Sequence, residues 1–137
     1  MTKPAIVINI SEVKKDKLIL VVEDNLVNQR LVKVLLEPLP YTIEFANHGR
    51  EAIDKVEAIN YSLIFMDIQM PVMDGLEASK YIKFILKKDI PIIGLTANVY
   101  DDNIQKCKKS GMDDFLGKPF SQEELFNIID KWLEGVE

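Results

Sequence analysis

The sequence predicts a single α/β domain in which five parallel strands, each followed by a helix, form a doubly wound sheet. Three observations support this prediction. Short apolar runs alternate five times with stretches of helical period. The length of 137 residues suits one domain. A composition of 47% hydrophobic and 28% charged residues excludes disordered and collagen-like chains. Right-handed crossovers with helices on both faces favour the strand order 2-1-3-4-5, as in flavodoxin-like sheets.

Five apolar runs are the predicted strands. Leu18–Val22 and Ser62–Met66 are nearly continuous apolar runs, which are typical of central parallel strands buried on both faces. Tyr41–Phe45 alternates in polarity, as an edge strand does. Ile92–Leu95 and Asp114–Leu116 are the fourth and fifth runs, and they complete the set.

The first two helices are expected to bury apolar residues that recur at helical spacing. These residues are Val27, Leu31, Val34 and Leu35 in the first helix and Ala52, Val56 and Ile59 in the second. Pro38 ends the first helix because proline cannot continue it. The lone histidine, His48, lies at the start of the second helix and is expected to be a surface residue.

The third and fifth helices begin with the spacing of a capping box, at Asp74 with Glu77 and at Ser121 with Glu124. The fourth helix is expected over about Val99–Ser110, with Gly111 as its left-handed cap. The residues expected to face the core are Ala78, Ile82 and Ile85 in the third helix and Leu125, Ile128, Ile129, Trp132 and Leu133 in the fifth.

Residues 1–16 lack a helical period and are interpreted as an N-terminal tail or linker, with the domain proper over residues 17–137. No apolar run approaches the roughly 20 residues that a membrane span needs. Ala5–Ile10 is too short for a signal peptide and lacks a small-residue cleavage pattern. The chain is therefore expected to be cytoplasmic.

Charge and cysteine content narrow the classes of function. A formal net charge of −5 disfavours binding to duplex DNA. Lysine clusters such as Lys14-Lys15 and Lys106–Lys109 are expected to be solvated faces. The single cysteine, Cys107, cannot form an internal disulfide and is interpreted as a half-buried helix residue.

Acidic and polar residues follow the predicted strands at one end only. Glu23 and Asp24 follow the first strand, Asp67 the third, Thr96 the fourth and Lys118 the fifth. Because the carboxyl ends of parallel strands share one edge, these residues are expected to meet there. Three carboxylates in one crevice repel each other unless a cation lies between them. Hard oxygen ligands completed by water suit Mg²⁺.

Each of these residues has a simpler interpretation when it is taken alone. The Asp24-Asn25 pair could cap the first helix, Asp67 could be a turn residue, Thr96 could cap the fourth helix, and Lys118 could be a surface lysine. Their coincidence at one edge favours a shared site. A carboxylate placed like Asp67 can attack phosphorus and form an aspartyl-phosphate, with the metal, the hydroxyl and the amine neutralising the phosphoryl oxygens.

Four strings resemble the receiver domain of two-component response regulators: VEDNLVNQRL, FMDIQMPVMDG, GLTAN and GMDDFLGKPF. The resemblance covers about residues 17–135 and is strongest to receivers attached to hybrid sensor histidine kinases. It implies that Asp67 is the phospho-acceptor. The metal ligands that it implies are the carboxylates of Glu23, Asp24 and Asp67 and the backbone carbonyl of Gln69.

The resemblance also implies roles for residues around the acceptor. Thr96 and Lys118 would bind the phosphoryl group, and Phe115 would be the switch aromatic that turns inward when Thr96 moves. The Lys118–Pro119 peptide bond would be cis. Gln69 and Asn98 match positions that tune dephosphorylation in the family.

The implied function is a phosphorylation-controlled switch rather than an enzyme. A histidine kinase or histidine phosphotransfer protein would donate the phosphoryl group in a reaction that depends on Mg²⁺ or Mn²⁺. The face of the fourth helix, fifth strand and fifth helix would then change. Neither direct contact with nucleic acid nor membrane insertion is expected, and the chain could belong to a larger hybrid kinase.

Two alternatives share parts of this pattern. A Mg²⁺-dependent phosphohydrolase of the haloacid-dehalogenase kind also uses an aspartate nucleophile, but it usually has a second acid two residues later, where this chain has Gln69. A cofactor-binding protein of flavodoxin type needs a hydroxyl- and glycine-rich phosphate loop after the first strand. Here that loop is acidic and would repel a phosphate group.

Overall fold

Strands and helices alternate along the part of the chain that the computed structural model describes, residues 17–68, 73–97 and 103–134. The strands are β1 (Leu18–Val22), β2 (Thr42–Ala46), β3 (Leu63–Asp67), β4 (Ile92–Thr96) and β5 (Asp114–Gly117). The helices are α1 (Leu26–Leu36), α2 (Gly49–Ala58), α3 (Gly75–Lys80), α4 (Asn103–Lys109) and α5 (Gln122–Ile129). A π-helical turn extends α3 over Tyr81–Ile85, and another extends α5 over Asp130–Glu134. The expected tail at 1–16 and the expected first turn of the fourth helix lie outside the described residues.

The five strands form one parallel sheet in the order β2-β1-β3-β4-β5, which confirms the predicted topology. β3 and β4 each extend one residue beyond the last residue of the predicted strand, so Asp67 and Thr96 are the final residues of their strands. Asp67 pairs with Leu95, and Thr96 pairs with Gly117. All carboxyl ends therefore lie at one edge. None of the described helices is long and apolar enough to cross a membrane.

Each face of the sheet has its own apolar core. Alternate residues of β1 and β3 point to opposite faces, and both sets are almost fully buried. α2, α3 and α4 cover the face that contains Val22 and Met66. α1 and α5 cover the face that contains Val21 and Phe65. The central strands are thus buried on both sides, as their continuous apolar runs predict.

The buried face of α1 differs from the predicted one. Val27, Leu31 and Val34 are 72%, 52% and 63% exposed, and Leu35 is only partly buried. Val32 and Leu36 are the residues that enter the core. The helix carries apolar residues on two sides, so their spacing alone could not identify the buried side. The prediction for Val27, Leu31 and Val34 was wrong, and α1 presents an apolar stripe to solvent.

The π-helical turn after α3 changes which side chains reach the core. Ala78 and Ile82 are buried as predicted, but Ile85 is 63% exposed. The Leu86 N–H donates to the Tyr81 carbonyl over 2.9 Å, a bond across five residues. The wider turn rotates the later side chains, so Leu86 packs against the core in place of Ile85.

Lys87 ends this turn in an unusual backbone conformation. Its φ angle is +56°, in the left-handed region that favours glycine. For a residue with a Cβ atom this conformation costs roughly 1–2 kcal/mol. The Lys88 N–H then donates to the Ile82 carbonyl over 3.0 Å and closes the helix end.

The helix caps largely agree with the sequence. Ser121 and Glu124 form both hydrogen bonds of the predicted capping box. Asp74 accepts from the Glu77 N–H over 2.9 Å. His48 is partly exposed and also caps α2, since its Nδ1 accepts from the Glu51 N–H. Its structural role was not predicted.

Three further predictions concern α4 and the end of α5. Gly111 has a φ angle of +94° after α4, as expected of its left-handed cap. Cys107 lies in α4 and is fully buried rather than half-buried, and this burial raises the pKa of its thiol. Trp132 and Leu133 pack against the core but stay partly exposed.

The π-helical turn at the end of α5 is anchored to the amino-terminal edge of the sheet. Asp114 Oδ2 accepts from Trp132 Nε1 over 2.9 Å and from Lys131 Nζ over 3.0 Å. Lys17 Nζ donates to the Leu133 carbonyl over 3.3 Å. Burial alone would raise the pKa of the Asp114 carboxyl, but the bonds from Trp132 and Lys131 outweigh it and hold that pKa below its usual range.

Replacing Asp114 with asparagine should lower the free energy of unfolding by about 1–2 kcal/mol at neutral pH, because charge-assisted bonds are lost. The stabilisation from the ionised carboxylate is fully present above its unfolded pKa, about 3.9, and is lost as pH falls through the lower folded pKa. The difference in free energy of unfolding between wild type and Asp114→Asn should therefore become smaller at acidic pH. Urea unfolding followed by Trp132 fluorescence measures this free energy. Asp54→Asn, at an exposed pair with Arg50, is the control and should change stability little. A difference that does not vary with pH would contradict this account.

Candidate functional site

Three carboxylates converge at the carboxyl edge of the sheet, as predicted. Glu23 and Asp24 follow β1, and Asp67 ends β3. One carboxylate oxygen from each lies within 4.8 Å of the others. The side chains of Glu23 and Asp67 are buried, whereas Asp24 is exposed. The cluster is therefore open to solvent at Asp24.

Lys118 reaches this cluster from β5. Its Nζ lies 3.1 Å from Asp67 Oδ2 and 3.6 Å from Glu23 Oε1. Its backbone N–H donates to the Thr96 carbonyl over 2.7 Å, which fixes the start of the loop after β5. The Lys118–Pro119 peptide bond is cis, as the resemblance implied. The sequence prediction that this lysine joins the acids is confirmed by its contacts.

Thr96 and Phe115 lie on β4 and β5, which follow β3 in the sheet order. Thr96 is the last residue of β4, is 8% exposed, and sits between the strand that ends at Asp67 and the strand that Lys118 follows. Phe115 in β5 is half-buried and pairs with Gly94. A Cβ atom at Gly94 would lie 3.2 Å from Phe115 Cδ1, so this glycine leaves room for the aromatic ring.

The remaining predicted positions, Gln69 and Asn98, lie outside the described residues. Their expected roles therefore stay predictions.

Glu23 is held by contacts that the sequence reading did not anticipate. The Asn25 N–H donates to Glu23 Oε2 over 3.1 Å. Gln29 Nε2 donates to the Glu23 carbonyl over 2.6 Å and to Asn47 Oδ1 over 2.8 Å. Gln29 thereby ties the loop after β1 to the loop after β2.

The pKa of the Glu23 carboxyl is raised mainly by burial. The Asn25 N–H lowers this pKa, the neighbouring charge of Asp67 raises it, and Lys118 lowers it again. The pKa of Glu23 stays above its usual range because the effect of burial is the largest of these. A cation bound beside Glu23 would lower this pKa.

Gly75 permits the close approach of α3 to the site. A Cβ atom at this position would lie 2.3 Å from the Asp67 carbonyl oxygen. The Gly75 N–H donates to the Ile68 carbonyl over 2.9 Å. This role of Gly75 was not predicted from the sequence. An Asp-Gly pair shortly after a strand-end aspartate was the available signal.

The donor set fits a hard divalent cation. Three carboxylates offer oxygen ligands within one small space, and no nitrogen or sulfur ligand joins them among the described residues. Such a set favours Mg²⁺ or Mn²⁺ over zinc. The exposed side at Asp24 leaves room for water and for an incoming anionic group.

Comparisons with known proteins agree with this geometry. The family model of the response regulator receiver domain matches residues 19–130. The osmosensing histidine protein kinase SLN1 of Saccharomyces cerevisiae is 46% identical over 121 residues, which are 83% of this chain and 10% of that kinase. The chain thus spans about a tenth of the length of that relative.

Two solved structures are also similar. The receiver domain of a sensor histidine kinase from Pseudomonas aeruginosa, solved with magnesium in its active-site cleft, is 36% identical with a TM-score of 0.79, covering 87% of this chain and 98% of that one. The co-crystal of the Saccharomyces cerevisiae phosphotransfer protein Ypd1 with the receiver domain of Ssk1 gives 31% identity, a TM-score of 0.78, and coverage of 85% and 88%. This chain therefore belongs to the response regulator receiver domain family.

Proposed function

We propose that this domain is a signalling switch that accepts a phosphoryl group on Asp67 from a histidine kinase or a histidine phosphotransfer protein. The observation that carries the proposal is the contact of Lys118 Nζ with Asp67 Oδ2 at 3.1 Å, inside a cluster of three carboxylates. A lysine in this position holds the nucleophile and can also bind a phosphoryl oxygen.

The transfer step uses the buried carboxylate of Asp67 as nucleophile. An Asp67 oxygen attacks phosphorus in line with the phosphohistidine P–N bond, that bond breaks, and its electron pair stays on the imidazole nitrogen. Mg²⁺ or Mn²⁺ held by Glu23, Asp24, Asp67 and the Gln69 carbonyl would supply positive charge to the phosphoryl oxygens. Lys118 and the Thr96 hydroxyl would bind the other oxygens.

Phosphorylation would change the face formed by α4, β5 and α5. The added charge would draw Thr96 and Lys118 inward, and the half-buried ring of Phe115 would follow Thr96. A nearly complete switch needs about 5.5 kcal/mol of differential stabilisation. The same face holds a groove whose lining includes Ile104, Lys108, Phe115 and Glu124, so its shape would respond to the ring position.

The exposed apolar stripe of α1 is the proposed docking surface for the phosphoryl donor. It consists of Leu26, Val27, Leu31 and Val34, which are each more than half exposed. Leu31 also lines a groove with Pro119 and Phe120, and Glu23 and Lys118 line the same groove. A histidine-bearing helix that covered the stripe would therefore lie beside Asp67. The similarity to a receiver solved with Ypd1 supports this choice of partner.

The domain is proposed to be part of a larger hybrid kinase, because its relative SLN1 is about ten times longer. We also propose that it is cytoplasmic. Residues 1–16 would then be a linker and 17–137 the receiver unit. Activity of its own would be limited to self-phosphotransfer and autodephosphorylation. The alternative is an aspartate-nucleophile phosphohydrolase. It is less well supported, because this chain has Gln69 where such enzymes usually have a second acid.

Mg²⁺ should raise the melting temperature, because a ligand that binds only the folded state stabilises it, by about 2.7 kcal/mol at 100 times its Kd. Asp24→Asn should lose most of this gain, and without Mg²⁺ it should be at least as stable as wild type, since one repelling carboxylate is gone. Differential scanning calorimetry measures both effects. Asp54→Asn should keep the full gain. An equal gain in Asp24→Asn would mean that Mg²⁺ binds elsewhere.

Acetyl phosphate with Mg²⁺ should add one phosphoryl mass to the wild-type protein and none to Asp67→Asn, because the nucleophilic oxygen is replaced by an amide. Intact-mass spectrometry provides the readout, and Asp54→Asn serves as the labelled control. A labelled Asp67→Asn protein would refute the assignment of the acceptor. Steady turnover of an aryl phosphate by the wild type would instead favour the phosphohydrolase.

Leu31→Ala should slow transfer from a phosphorylated histidine phosphotransfer protein by about tenfold, because central apolar contacts dominate docking energy. Labelling by acetyl phosphate should be unchanged, since the acceptor site is intact. Ile85→Ala, which truncates another apolar side chain that is more than half exposed but lies on a different surface, should leave both rates unchanged. The docking assignment fails if Leu31→Ala and Ile85→Ala transfer equally fast.

A further inference from the structure

The carboxyl-terminal ends of α3 and α4 carry a dense group of lysines, named here the basic face. Seven of the chain's 17 Lys and Arg residues fall within residues 80–88 and 106–109, and neither stretch contains an acid. The seven are Lys80, Lys83, Lys87, Lys88, Lys106, Lys108 and Lys109. The chain as a whole has a net charge of −5, so its positive charge is concentrated here.

The two helix ends lie side by side. A Cβ atom at Gly111, just after α4, would lie 2.7 Å from Lys83 Cγ and 3.6 Å from Phe84 Cε2. Lys83 is paired with Asp113 at 2.8 Å. Lys87 and Lys109 are exposed, and no carboxylate of the described residues forms an ion pair with either. Most of the positive charge of this face is thus directed to solvent.

Two large apolar side chains project from the same face. Phe84 is 57% exposed and Ile85 is 63% exposed, and both lie between Lys83 and Lys87 in the π-helical turn. They also line a groove with Lys80 and Tyr81, in which Glu77 is the one acid. Adjacent apolar and cationic side chains on one surface indicate a contact that is both hydrophobic and electrostatic.

Lys87 occupies the left-handed position that closes the helix end, with a φ angle of +56° at which glycine would be unstrained. At this position the side chain adds a cation next to Lys88.

We propose that the basic face binds an anionic lipid surface peripherally, with its lysines at the phosphates and with Phe84 and Ile85 in the headgroup layer. Clusters of four to eight basic residues beside apolar ones suit anionic lipids. The face combines several solvent-directed cations with two exposed apolar side chains. This combination is complementary to a lipid surface, which is anionic at its phosphates and apolar beneath them.

The topology keeps such binding compatible with phosphotransfer. α3 and α4 begin at the carboxyl edge of the sheet, where Asp67 lies, and end at the opposite edge. A domain resting on its basic face would direct Asp67 away from the lipid. Helix α1 packs on the opposite face of the sheet from α3 and α4. Its exposed apolar stripe is therefore separate from the basic face.

Co-sedimentation of the full chain with phosphatidylcholine vesicles, with and without phosphatidylserine, tests the proposal. Binding is expected only with phosphatidylserine and should weaken as salt increases. Lys87→Gly and Lys109→Gln should each lower the partition coefficient about fivefold. Lys87→Gly also relieves backbone strain, so its loss of binding would not come from unfolding. Ile85→Ser should weaken binding without changing its salt dependence.

Matched substitutions on α1 provide the control. Lys33→Gln and Val34→Ser remove the same chemical groups from another exposed surface and should bind as wild type does. Three results would overturn the proposal. They are equal binding to vesicles with and without phosphatidylserine, no binding to either, and a loss of binding in the α1 variants as large as in the basic-face variants. Binding to soluble polyglutamate but not to vesicles would also overturn it and would indicate an acidic protein partner.

Discussion

The function of this domain depends on the repulsion among three carboxylates and on the lysine whose positive charge partly offsets that repulsion. The parallel sheet brings Glu23, Asp24 and Asp67 to one edge, within 4.8 Å of one another. Two of them are buried, where charge is least screened. Lys118 contacts both buried acids, yet burial still raises the pKa of Glu23. A site with uncompensated negative charge can bind a cation, and with that cation it can accept an anionic phosphoryl group.

The rest of the fold holds this arrangement in place. Side chains of β1 and β3 are buried on both faces of the sheet. This burial fixes the positions of the strand ends that carry the acids. Gly75 lets α3 begin against the backbone of Asp67. The anchoring of the last turn through Asp114 lies at the opposite edge of the sheet from the phosphoryl site.

The sequence was sufficient to predict the sheet and the site because both follow from simple patterns. Continuous apolar runs mark buried parallel strands, and the polar residues that follow them share an edge. The orientation of α1 was mispredicted since this helix has two apolar sides, one of which serves an exposed surface. Ile85 was mispredicted because a π-helical turn leaves no clear signal in residue spacing. Gly75 was overlooked because its role depends on the approach of a backbone distant in sequence.

A crystal structure of the protein grown with Mn²⁺ and recorded at the manganese absorption edge tests the central claim most directly. The account predicts one strong anomalous peak in contact with carboxylate oxygens of Asp24 and Asp67, on the open side of the cluster near Lys118. A peak only at other carboxylates, or an acidic cluster that binds no metal at saturating Mn²⁺, would contradict the account.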